Sequence, residues 1–105
     1  MENNVENASQ NYPLPTDKTL QQVTKLAIVE DKPVLFDYWT GSCDKEVLIG
    51  IRDNGEKLLV KSEDEYTSPI ANIYLIKPEG KEYIVVTENS IYVVSCNIEK
   101  KRISD

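Results

Sequence analysis

The sequence contains no histidine. That removes the commonest general base and the commonest transition-metal ligand in one stroke. Cysteine is scarce, with only Cys43 and Cys96, too few for a disulfide-stapled scaffold. Glycine is scarce too, and the four present (Gly41, Gly50, Gly55, Gly80) form neither a phosphate loop nor a nucleophile elbow. No apolar run approaches the roughly 20 residues of a membrane span. The N-terminus is polar and lacks the apolar stretch of an export signal. Basic residues are outnumbered 18 to 12 by acidic ones, for a net charge of -6. This excess argues against a nucleic-acid backbone or an anionic membrane as partner, because both require a basic face. The reading is an intracellular protein with reduced thiols.

What is present fits one small domain. The 105 residues are 40% hydrophobic and 29% charged, ordinary values for a globular chain. Residues 1–15 hold four Asn and two Pro and read as a flexible tail ending in Tyr12-Pro13-Leu14-Pro15. A helix follows over roughly 17–30. Thr16 or Asp17 caps it, Leu20, Val23, Leu26 and Ala27 form its apolar stripe, and Pro33 stops it.

From Pro33 onward the pattern is β. Strands are expected over 34–39, 46–52, 56–61, 70–77, 82–87 and 90–95. Asp53-Asn54-Gly55 joins two of them, and Asn-Gly between apolar runs is the strongest short-range hairpin signal. A second hairpin is expected across Glu88-Asn89, and a turn at 78–81. Gly50 inside a strand suggests a bulge or a sharp bend. Residues 99–105 read as a polar C-terminal tail. The expected fold is therefore α+β, mainly β: an N-terminal helix, then a five- to six-stranded antiparallel meander curled into a small barrel or roll over residues 16–98. Val47-Leu48-Ile49, Leu58-Leu59-Val60 and Ile84-Val85-Val86 are apolar at consecutive positions. Strands of this kind are covered on both faces, by the helix, the tail or a partner protein.

Candidate chemistry is thin. Asp31–Trp39 resembles the thioredoxin strand that leads into a redox motif, and Cys43 follows near the place of the first active thiol. The resolving thiol is missing, since position 46 is Glu. Glu63-Asp64-Glu65 offers three carboxylates, but consecutive residues of an extended chain point alternately, and the spacing of a calcium loop is absent. No metal and no cofactor is expected, and the chain is read as not an enzyme. The aromatic residues Tyr38, Trp39, Tyr66, Tyr74, Tyr83 and Tyr92 lie in or beside the expected strands. They are candidates for core packing or for a partner-binding face.

Five segments between Lys32 and Tyr92 carry a resemblance: Lys32-Pro33, Asp37-Tyr38-Trp39-Thr40, Asn54–Lys61, Glu63–Ile70 and Thr87–Tyr92. Over about residues 31–95 the chain resembles small proteins of unassigned function encoded by large DNA viruses. The resemblance implies at most a virus-encoded accessory or virion-associated protein, and it carries over no catalytic residue. The leading expectation is a non-catalytic interaction or structural module that binds another protein or itself. A thiol-dependent redox protein using Cys43 and a ligand-binding barrel are the alternatives.

Overall fold

The computed structural model describes residues 13–77 and 80–103. The expected tail over residues 1–15 lies outside the described residues as far as Tyr12, and Pro78 and Glu79 of the expected turn lie outside them as well.

Helix α1 spans Asp17–Glu30. Its start follows from Thr16, an extended-backbone N-cap whose hydroxyl accepts from the Thr19 N–H at 3.4 Å. Its end follows from Asp31, which adopts the left-handed region (φ 56°) and donates its N–H to the Ala27 carbonyl. Pro33 then prevents continuation.

Strand β1 is only Val34–Leu35, and the chain turns directly into a short helix, α2, over Trp39–Cys43. The expected strand over 34–39 is thus only two residues long. Trp39 N–H bonds back to the Phe36 carbonyl at 3.1 Å, and Tyr38 and Trp39 are buried on opposite sides of sheet A.

The remaining strands are β2 (Leu48–Ile51), β3 (Lys57–Ser62), β4 (Glu65–Tyr66), β5 (Ile70–Leu75), β6 (Glu82–Thr87), β7 (Ile91–Ser95) and β8 (Glu99–Arg102). They form two open sheets and no barrel. Sheet A has the order β1-β7-β6-β5, and sheet B the order β4-β3-β2-β8. Each is mixed, because β1 runs parallel to β7 and β8 runs parallel to β2. The meander divides after Tyr66, where β4 ends sheet B and β5 begins the outer edge of sheet A.

Both expected hairpins form. Across the β2–β3 turn, Gly55 has φ +94°, a conformation that glycine adopts without side-chain strain, and the Asn54 side chain accepts from the Glu56 N–H at 2.9 Å. Across β6–β7, the Thr87 hydroxyl donates to the Ser90 carbonyl and accepts from the Ser90 N–H. Gly50 is not a bulge. It pairs in register with Leu58 on one side and Lys101 on the other. The irregularities fall between Val60 and Ser62 and between Ile70 and Asn72.

Residues 99–102 are a strand and not a tail. Ile98 is buried at one end, and at the other the Ile103 N–H bonds to the Ile51 carbonyl at 3.0 Å. Glu99, Lys100, Lys101 and Arg102 are all exposed, so this strand forms because the edge of β2 offers hydrogen bonds, not because it has an apolar face to bury.

The core lies in two layers that share sheet A. Between the sheets, Val47, Ile49 and Leu59 meet Tyr38, Val85, Tyr92, Val94 and Ile98. On the other face of sheet A, Ile84, Val86, Ile91 and Val93 meet Val23 of α1 and Trp39 of α2, with Leu26, Ala27 and Cys43 against them. Alternate residues of β6 and β7 thus enter different layers, which is why both strands read as continuous apolar runs. Buried Glu82 fastens α1 to β6. Its carboxylate accepts from the Thr16 hydroxyl at 2.9 Å and from the Thr19 hydroxyl at 2.6 Å, at the end of the helix where a negative charge is favoured.

Candidate functional site

The aromatic residues singled out in the sequence do not converge. Tyr38 and Tyr92 are buried together, their rings edge-to-face with centroids 5.2 Å apart. The Lys61 ammonium sits 4.8 Å from the Tyr38 ring centroid. Burial pushes the Tyr38 phenol up to about 12, with repulsion from Glu65 adding to it, and it raises Tyr92 in the same direction. Trp39 is buried under α1, its indole N–H donated to the Pro13 carbonyl at 2.9 Å. Tyr83 is half-buried against the inter-sheet layer. Only Tyr66 and Tyr74 are exposed, on different sheets.

Cys43 is the last residue of α2 and packs against the layer beneath α1. Burial raises its thiol pKa, and the neighbouring Asp44 and Glu82 push the same way. Each of these effects disfavours the thiolate that redox chemistry needs, as does a place at the C-terminal rather than the N-terminal end of a helix. Cys43 and Cys96 are both free. Glu63 and Asp64 of the acidic run form the β3–β4 turn, and Glu65 opens β4. Glu65 lies 3.4 Å from Lys61, and Asp64 N–H is taken by the Ser62 hydroxyl. Among the described residues no three potential metal ligands gather.

The expected barrel interior does not exist, and the space between the sheets is filled by the chain's own side chains. The concavity that does exist is on the outside of sheet B, with a volume of about 700 Å³. Its floor is Leu48, Leu58, Val60 and Ile103, and Tyr66 stands at one side. Alternation explains the floor. Ile49 and Leu59 point into the core, so their neighbours Leu48, Leu58 and Val60 point outward.

Gly50 completes the groove. A methyl group built there would lie 2.8 Å from Ile103 Cδ1 and 3.0 Å from Val60 Cγ2. The missing side chain is the seat of Ile103, which folds over the sheet from the end of β8. The sequence signalled a special backbone at Gly50, and the real reason is the approach of a distant side chain. The outward Leu and Val residues were legible as surplus apolar faces, but the groove required β8, which the sequence concealed.

The rim is basic. Arg52, Lys61, Lys101 and Arg102 surround the floor, against one acid, Glu63. Neighbouring carboxylates partly neutralise three of the four, in the pairs Arg52–Glu56 (3.2 Å), Lys61–Glu65 (3.4 Å) and Arg102–Asp53 (3.5 Å). These pairs are solvent-exposed and are individually weak. A second depression, of about 520 Å³, lies along one face of α1 between Asp17 and Lys25, and among the described residues α1 alone lines it.

No helix among the described residues is long and apolar enough to cross a membrane. No family model, curated protein sequence or solved structure matches the chain.

Proposed function

We propose that this protein is a non-catalytic protein-binding module whose binding face is the outer groove of sheet B. Its ligand is an extended segment of a partner protein that carries apolar side chains together with acidic ones. The observation that carries this reading is a contrast of surfaces. The central strands of sheet A, β6 and β7, have their apolar residues covered by helices on one side and by sheet B on the other. Among the described residues the apolar floor on the outer face of sheet B has no covering layer beyond Ile103, and four cations ring it in a chain of net charge -6. An apolar floor supplies affinity through burial, and a basic rim selects an acidic partner and speeds its approach.

The probe is a pair of ten-residue peptides, one alternating Leu with Glu and the other alternating Leu with Lys. Titrated into the labelled protein, the acidic peptide is expected to shift amide resonances of β2, β3 and β8. The shifts weaken with added salt and are lost in a Lys101→Glu/Arg102→Glu variant. Equal binding of the basic peptide, or shifts confined to other elements, would overturn the reading.

A further inference from the structure

The two sheets have four edges, and three are guarded. β1 and β4 are two residues each, and β8 is Glu-Lys-Lys-Arg, fully exposed and charged. Short or charged edges discourage pairing with another chain. The fourth edge, β5, is six residues long, Ile-Ala-Asn-Ile-Tyr-Leu, with no charge and no proline. Among the described residues only one side of β5 is paired, to β6. Tyr74 and Leu75 are 38% and 45% exposed.

We propose that the free edge of β5 pairs antiparallel with β5 of a second copy of this chain, giving a two-fold symmetric dimer with one continuous sheet across both copies. Charge at the two ends of the strand favours this occupant. Lys77 follows the C-terminal end of β5 and is exposed. Glu88, also exposed, stands beside the N-terminal end, its N–H bonded to the Pro69 carbonyl at 3.2 Å. In an antiparallel pair each Lys77 is brought to the Glu88 end of the other copy. A two-fold axis makes that complementarity occur twice. The contact is independent of the sheet B groove, because β5 is on the opposite sheet. An interface of this length falls below the standard size, so the dimer is weak and forms at high protein concentration.

Sedimentation of the full chain from micromolar to millimolar concentration tests this, together with hydrogen exchange at both extremes. Association is expected, with protection of β5 amides that rises with concentration. Asn72→Lys/Tyr74→Lys, at two exposed positions, is expected to weaken association by about tenfold, since like charges then face one another across the pair. Lys77→Glu weakens it by a few-fold, and adding Glu88→Lys restores it. A chain that stays monomeric at millimolar concentration overturns the proposal. So does a dimer indifferent to the paired lysine substitutions, or lost instead in Lys101→Glu. Strong protection of both sides of β5 at every concentration would assign the edge to the chain's own residues and overturn it equally.

Discussion

Sheet A and sheet B are built from similar stretches of sequence and end in opposite situations. Ile84-Val85-Val86 of β6 and Leu58-Leu59-Val60 of β3 are both apolar triplets in antiparallel strands. In β6 the triplet is buried throughout, because α1 and α2 cover one face and sheet B the other. In β3 Leu58 and Leu59 are both buried, but only Leu59 joins the layer between the sheets, while Leu58 and half-buried Val60 lie on the outer face and line an open groove. Local sequence therefore specifies that a strand has two apolar faces, but not whether the molecule itself supplies both covers. Where a helix packs down, the second face contributes stability. Where it is left open, the same chemistry becomes a binding surface.

The largest expected effect tests that contrast directly. Ile84→Ala should cost about 3 kcal/mol of folding stability, since it opens a cavity in a closed layer. Val60→Ala should cost less than about 1 kcal/mol, because the space it leaves is open to solvent. Urea denaturation of both variants measures the difference, and equal costs would erase the distinction between the sheets.

A smaller effect is expected at Gly50. Gly50→Val drives a branched side chain into Ile103 and Val60, with an expected loss of about 1–3 kcal/mol. Amide exchange in β8 should quicken while that of β6 and β7 keeps its rank order. Unchanged exchange in β8 would mean that Ile103 does not hold the strand.

The smallest effect at neutral pH concerns Tyr38, which lies between the sheets. Tyr38→Phe should change stability at pH 7 by less than about 1 kcal/mol. Its signature is alkaline. Burial pushes the folded phenol up to about 12, above its ordinary value of 10.0. Its contribution is therefore complete below about pH 10 and is lost as pH rises through about 12. Tyrosinate absorbance should show a late-ionising phenol that disappears in the variant, and the alkaline loss of stability should become shallower. An identical titration curve in the variant would show that Tyr38 is not the late group.

Much of the secondary structure was legible because its causes are local. The Thr16 cap, the stripe of Leu20, Val23, Leu26 and Ala27, and the Pro33 stop define α1 within one residue of the expectation. Asn54-Gly55 and the run from Thr87 to Ser90 define the hairpins, since turn chemistry and cross-strand register lie within a few residues of each other. The candidate site was legible only in part. Tyr66 was singled out and borders the groove, whereas Tyr38, Trp39 and Tyr92 are buried in the core layers. Arg52, Lys61, Lys101 and Arg102 gave no sequence signal as a group, because they come from β3, β8 and the residue after β2, and the register of these strands brings them together.

The sequence by itself determined an acidic α+β chain without histidine, one capped helix and two hairpins. Each of these rests on composition or on contacts between near neighbours. The tertiary structure alone decided that the strands divide into two open sheets rather than closing into a barrel. It also turned Glu99–Arg102 into a strand, and it made Tyr38-Trp39 a junction between layers rather than the end of a strand. The physical reason is common to all three. Parallel pairing of β1 with β7 and of β8 with β2 joins residues more than fifty positions apart. Such contacts leave no periodicity in either partner, and they form only when a free edge and a buried anchor meet in space.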